Sequence, residues 1–248
     1  MTQKQGQHKK KQRQIERVEA AKQRQRIRFM MAFTIIALII IGGGFGIYYA
    51  AGGGQTSEPV EFAYNTQPMM GDPDAPVKIV EFGDFKCPVC QEFDENFLPQ
   101  LKKDYIETGK AAYYFINYPI FGEGSMRAAL AAESVYHRWP DLYWQYHEAI
   151  YDNQGGENEQ WATADFLTSV AIIQARGVNA DKLNKDIRKQ TYLDEVKSDR
   201  QKALDLGLIG TPSVFVNGKP VEEISYANLT EAIDQAYEKA TSSSVDKG

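Results

Sequence analysis

Cysteine is almost missing from this chain: there are two in 248 residues, Cys87 and Cys90. Histidine is nearly as scarce, and His8, His137 and His147 all lie far from the cysteines in sequence. A structural zinc site needs four ligands, so the pair lacks the second half that zinc requires. A purely structural disulfide would close a loop of only two intervening residues and remove little chain entropy from the unfolded state. Inert core thiols are a further option, because free Cys often serves as a small buried residue. The sequence also lacks an internal repeat and a dedicated calcium-binding loop.

What is present is concentrated. The two cysteines stand three apart in Phe85-Lys86-Cys87-Pro88-Val89-Cys90, where an apolar strand pattern gives way to a helix pattern. Within one helical turn such a pair can close into a disulfide or reopen to two thiols. It reads first as a redox centre.

Charge divides the chain. Residues 1–28 carry ten Lys and Arg against Glu16 and Glu19, a net of +8, and Phe29–Ala50 then runs 22 residues without a charge. A helix needs roughly 20 apolar residues to cross a bilayer. A secretory signal is shorter and ends in a small-x-small site, whereas Tyr48 and Tyr49 stand near the end of this run. The expectation is an uncleaved anchor with residues 1–28 in the cytoplasm and the rest outside, where disulfides persist. With no cysteine near the end of the run, a lipoprotein-type lipid attachment is excluded. The other 220 residues hold 18 basic and 31 acidic side chains, a net of −13, which argues against a nucleic-acid partner.

The expected domain plan is a basic segment 1–28, an anchor 29–50, a flexible tether 51–58, one domain 59–241 and a tail 242–248. Val77–Phe82 reads as a buried central strand after a Gly-Asp-Pro turn cluster. Phe93, Phe97, Leu101 and Tyr105 mark a helix face that Pro99 should kink and Gly109 should end. Ala112–Tyr118 is a second strand. Helix signals then fill about 122–207: an alanine-rich run over 124–138, a helix capped by Asp141, another on Phe166, Leu167, Val170 and Ile173, and two more capped by Asn179 and Thr191. Val214 and Val216 precede a two-residue Asn217-Gly218 hairpin turn, and Ser225 caps a last helix.

This order, with Cys-Pro-Val-Cys at the first strand-helix junction and Thr211-Pro212 before the hairpin, resembles the DsbA-type thiol-disulfide oxidoreductases of the thioredoxin superfamily. It is most similar to their membrane-anchored Gram-positive branch. The resemblance covers about residues 60–241 and rests on three separate elements: the CPxC motif, the late Thr-Pro and the helical lobe between them. It implies an α/β thioredoxin-like fold with an inserted helical lobe behind a single transmembrane helix. It further implies a redox-active Cys87-Cys90 disulfide in place of any cofactor. The partners it implies are unfolded or partly folded secreted proteins with free thiols, a quinone-linked membrane reoxidase of the DsbB/BdbC type, and the lipid bilayer.

The resemblance also assigns roles. Thr211 and a cis Pro212 would pack beside the disulfide and offer backbone to an extended substrate. Glu81, six residues before Cys87, would be a buried acid that moves the proton of the inner cysteine. A lysine that often partners this acid is missing, since the second strand offers only Tyr113 and Tyr114. Placing Cys87 at a helix N-terminus should stabilise its thiolate, with Pro88 at the first helical position and Cys90 as the buried resolving thiol. Val89 cannot donate a hydrogen bond to the sulfur, which leaves the strength of the oxidant open. His137 and His147, set among aromatics, are expected to be ordinary polar helix positions, and the tyrosines around them core packing.

Three functions are compatible with these features. The first is an extracytoplasmic oxidase that introduces disulfides into secreted proteins. The second is a reductase on the same fold, for example of apocytochrome cysteines. The third is a redox-inert peptide-binding module with a structural disulfide.

Overall fold

A computed structural model describes residues 58–245. The basic segment, the expected anchor Phe29–Ala50 and nearly all of the tether lie outside the described residues. Among those described, no helix is long and apolar enough to cross a membrane.

The centre is a five-stranded mixed sheet in the order β1 (Met69–Met70), β3 (Ala111–Asn117), β2 (Val77–Gly83), β4 (Ser213–Val216), β5 (Lys219–Pro220). β2 runs parallel to β3 and antiparallel to β4, so it is the interior strand from which the motif emerges. Six of its seven residues are buried, as a strand covered on both faces requires. Side-chain alternation sorts them: Val77 and Ile79 join Phe93, Tyr113, Leu229 and Ile233 in one core, while Val80 and Phe82 join Phe62, Tyr114 and Phe215 in the other. Asn217 and Gly218 both have positive φ, as a two-residue hairpin of this twist demands.

The helix after the motif is one continuous path with two wide turns. α1 (Pro88–Glu92) passes into a π-helical turn Phe93–Phe97, then α2 (Leu98–Leu101), then a second π-helical turn Lys102–Ile106. Pro99 falls just after the first wide turn, within the first positions of α2. The i to i+5 spacing there accommodates a ring that has no N–H to donate, so the expected kink takes the form of a π-turn.

The lobe between β3 and β4 is built from five helices, α3 (Glu123–Arg138), α4 (Tyr143–Asp152), α5 (Ala164–Gln174), α6 (Ala180–Lys189) and α7 (Leu193–Asp205), with an irregular segment 153–163 between α4 and α5. α8 (Tyr226–Val245) closes the fold, with Ser225 Oγ accepting from Asn228 N at 3.2 Å. Asn179 caps α6 by accepting from Lys182 N. Two expected caps are corrected. Asp141 lies inside a 3-10 turn Pro140–Leu142, and α4 starts at Tyr143 without a side-chain cap. Thr191 donates its hydroxyl to Asp186 Oδ1 at 3.0 Å, and α7 begins two residues later, again without a side-chain cap. Ile173, expected on the packed face of α5, is 67% exposed.

Lobe and sheet meet around two buried carboxyls. Asn117 Nδ2 donates to Glu133 Oε1 at 2.7 Å, Asn117 N donates to Asp199 Oδ2 at 3.2 Å, and Gln67 Nε2 donates to Asp199 Oδ1 at 2.8 Å. Burial pushes Glu133 up to about 8 and Asp199 up to about 6, each further raised by neighbouring carboxylates. Both groups hold a proton in the folded state at pH values where the unfolded chain has lost it. Unfolding stability should therefore fall as pH rises from about 4 through about 8, the reverse of a salt-bridged carboxylate. Urea midpoints at pH 5 and pH 8 in metal-free buffer check this; a higher midpoint at pH 8 contradicts it.

Candidate active site

β2 ends at Gly83, where a Cβ would stand 2.3 Å from the Phe115 ring and 3.0 Å from Glu81 Oε1. Asp84 then builds the turn. Its Oδ1 accepts from Lys86 N at 2.8 Å and its carbonyl from Cys87 N at 2.9 Å. Its Oδ2 accepts from Ile120 N at 2.6 Å and Phe121 N at 3.2 Å, fastening the loop after β3 to the same point. Burial raises the Asp84 carboxyl, and these hydrogen bonds oppose the rise. Sequence reasoning missed Asp84. The available signal was an Asp placed to bond the N–H two residues on, just after a strand.

Cys87 is the extended N-cap residue of α1 and Pro88 its first helical residue. Cys87 and Cys90 are separate thiols in this structure. Both are buried, Cys87 at 3% and Cys90 at 0% exposure, while Val89 between them is 54% exposed. Cys87 Sγ donates to the Thr211 carbonyl at 3.2 Å, and the Thr211-Pro212 peptide is cis. The structure thus brings Thr211 and Pro212 to the sulfur across 124 residues of sequence.

The Cys87 thiol is lowered to about 6. The largest cause is the hydrogen bond from Cys90, opposed by burial and then supported by Thr211 and by the N–H groups of Cys90 and Val89. The helix terminus contributes as expected, but the second thiol outweighs it. Cys90 moves the other way, pushed well up by burial and by its bond to Cys87. One sulfur is thus poised as a thiolate and its neighbour as a thiol.

Glu81 is 2% exposed, so it is not a carboxylate in water. Burial lifts its carboxyl to about 8; Tyr113 opposes the rise, and the charges of Asp94 and Cys87 add to it. Tyr113 Oη donates to Glu81 Oε2 at 2.5 Å. In the parallel register Tyr113 lies opposite Ile79, and Glu81 is the next residue of β2 on that face. A phenol therefore occupies the position of partner to the acid. An acid near 8 can exchange a proton with a thiol at neutral pH.

His147 is a polar position of α4, as expected, but a buried one. Its Nδ1 lies 3.2 Å from Asp94 Oδ1, and its ring packs edge-on against Phe85, Phe115 and Tyr151. His137 is exposed and stacks on Tyr192 with ring centroids 4.6 Å apart. Tyr143, Tyr146 and Tyr151 are core residues. Among the described residues, no group of three or more His, Cys, Asp and Glu side chains is placed to hold a metal ion.

Two thiols of opposed acidity beside a cis-proline turn, carried on this mixed sheet, define the class: a thioredoxin-like thiol-disulfide oxidoreductase. Comparison with known proteins narrows it. The thioredoxin family model matches residues 63–235. The chain is 38% identical over 210 residues to a probable disulfide bond formation protein D of Bacillus cereus, covering 84% of this chain and 95% of that one. It is 33% identical to disulfide bond formation protein D of Bacillus subtilis, covering 68% and 76%. The oxidised crystal structure of that protein, BdbD, superposes with TM-score 0.69 at 32% identity, covering 75% of this chain and 97% of its own. DsbA of Chlamydia trachomatis gives 0.64 at 27%, covering 73% and 95%. The chain belongs to the thioredoxin family, among the DsbA-type oxidoreductases and with the disulfide bond formation D proteins.

Two outcomes follow from this geometry. Tyr113→Phe removes the bond that holds Glu81 down, so the Glu81 carboxyl should titrate above about 8, measurable by difference infrared spectroscopy of the carboxyl band. Separately, a lowered Cys87 thiol stabilises the reduced fold above the thiol's unfolded value of about 9, and this contribution is lost as pH falls through about 6. The melting-temperature difference, reduced minus oxidised, should therefore shrink between pH 9 and pH 6. A constant difference contradicts the lowered thiol.

Proposed function

We propose that this protein is a membrane-tethered, extracytoplasmic disulfide oxidase that works through Cys87 and Cys90. The observation that carries the direction is the stabilised Cys87 thiolate, because a couple whose reduced form is stabilised is a stronger oxidant. The extended apolar run after a basic segment supports the location. The names of its relatives as disulfide bond formation proteins support the direction.

In the oxidised protein a substrate thiolate attacks Cys87 Sγ, forming a mixed disulfide as the Cys87–Cys90 bond breaks. Cys90 leaves with the electron pair and takes a proton from Glu81, whose carboxyl near 8 still holds one at neutral pH. A second substrate thiolate then attacks the substrate sulfur of the mixed disulfide, and Cys87 leaves as the thiolate. Two electrons pass to the protein, the substrate gains a disulfide, and Cys87 and Cys90 end reduced. Thr211, at the cis bond, presents backbone to an extended segment, while exposed Val89 meets its side chains. Reoxidation reverses the proton step, with a quinone-linked membrane partner as acceptor of the electrons.

Cys90→Ser removes the resolving thiol, so secreted proteins should accumulate as dithiothreitol-sensitive adducts on Cys87. Their absence from a folded variant would sink both the oxidase and the reductase. A redox titration of the unmodified protein separates those two: about −120 mV fits an oxidase and about −270 mV a reductase. Resistance of the disulfide to dithiothreitol would fit the inert module.

A further inference from the structure

Between α4 and α5, residues 153–163 leave the helical lobe as an irregular segment and lie against the redox turn. Gln154 Nε2 donates to the Phe85 carbonyl at 2.8 Å and to the Cys87 carbonyl at 3.2 Å. From the other side, Lys86 Nζ donates to the Glu159 carbonyl at 3.0 Å. Three consecutive residues that end in the reactive cysteine are thus bonded to one loop of the lobe. Gln154 is half-buried, and packing fixes the residue after it: a Cβ on Gly155 would stand 2.7 Å from the Trp161 indole.

The two carbonyls that Gln154 grips flank the peptide planes on either side of Lys86 and Cys87. Their orientation sets the extended N-cap conformation of Cys87, φ −78° and ψ 121°, and so the direction of its Cα–Cβ bond. The Cys87 carbonyl also accepts from Gln91 N at 3.1 Å, the first bond of the helix. Rotating this carbonyl would disturb the helix start and the aim of Sγ together. We propose that Gln154 is a positioning residue for the redox thiol: by holding the Phe85 and Cys87 carbonyls it keeps Cys87 Sγ within reach of Cys90 Sγ and of the Val89 and Cys90 N–H groups. The helical lobe thereby takes part in setting the reactivity of a cysteine carried by the sheet. This inference rests on the thiol-disulfide exchange assigned above.

Gln154→Ala and Gln154→Met in the full chain test it; Met keeps the length of the side chain without its donors or a new charge. The titratable groups beside Cys87, namely Cys90 and Glu81, are unchanged in both. The thiolate absorbance midpoint should move up from about 6. The equilibrium with glutathione should shift roughly three- to ten-fold towards the oxidised protein, the scale of the lost hydrogen bond to the Cys87 carbonyl. Gln91→Ala is the control: like the Gln154 variants it removes two bonds of one Nε2, to the Tyr151 carbonyl at 2.9 Å between the same helix and the lobe and to Glu95 Oε1 at 3.0 Å. It should lower thermal stability while leaving midpoint and equilibrium in place. Folded Gln154 variants with unchanged values, or an equal shift in Gln91→Ala, overturn the proposal. If Gln154→Ala does not fold, Gln154→Met decides. An unmodified protein that fails to equilibrate with glutathione overturns the oxidoreductase assignment itself; an active one beside unchanged Gln154 variants refutes only the positioning role.

Discussion

The carboxylate of Asp84 accepts hydrogen bonds from three backbone N–H groups, those of Lys86, Ile120 and Phe121. It thereby holds the end of β2, the chain leaving β3 and the approach to α1 at one point. Its carbonyl takes Cys87 N as well. Backbone N–H groups at element ends need such partners; Phe121 N is shared with Ser125 Oγ at 3.1 Å. The site depends on this knot, because the Cys87 sulfur can meet the Thr211 turn only if the strand stops and the helix starts in a fixed relation.

On that frame the chemistry is a division of acidity by hydrogen bonding at Cys87 and by burial at Cys90 and Glu81. Three ionisable groups, Cys87, Cys90 and Glu81, lie close enough for each to influence another. Hydrogen-bond donors favour the anion at Cys87, whereas Cys90 and Glu81 are sealed under apolar side chains that disfavour it. The result is one thiolate, one thiol and one carboxylic acid near neutral pH. Proton movement can then accompany thiol-disulfide exchange at the pair.

Much of this was legible in the chain. Val77–Phe82 read as a buried strand because apolar side chains face both ways, and the structure continues it one residue to Gly83. The Asn217-Gly218 hairpin, the Ser225 and Asn179 caps and the helical lobe were likewise local signals strong enough to survive tertiary context. The failed signals were local as well. Asp141 and Thr191 have the chemistry of caps, but one sits inside a 3-10 turn and the other serves Asp186. A capping side chain competes with every other acceptor or donor nearby, and sequence does not show who those are. His147 was underrated for a related reason: its partner Asp94 lies 53 positions away, and the rings that bury it come from other elements.

By itself the sequence determined the reactive pair, its place at a strand-helix junction, and the charge asymmetry of the two ends of the chain. These are properties of neighbours in covalent order, which periodicity, spacing and composition report directly. Only the tertiary structure decided that Tyr113 would be the donor to Glu81 and that Gln154 would grip the carbonyls beside Cys87, and it brings Thr211 to Cys87, which the chain implied only through its family resemblance. Each is a contact between residues 32 to 124 positions apart. Such contacts are fixed by strand register and by how the lobe folds back on the sheet, and neither is written in any short stretch of chain. The acidity of the thiols follows the same rule, since burial and hydrogen bonding are assembled from distant segments only when the chain is folded.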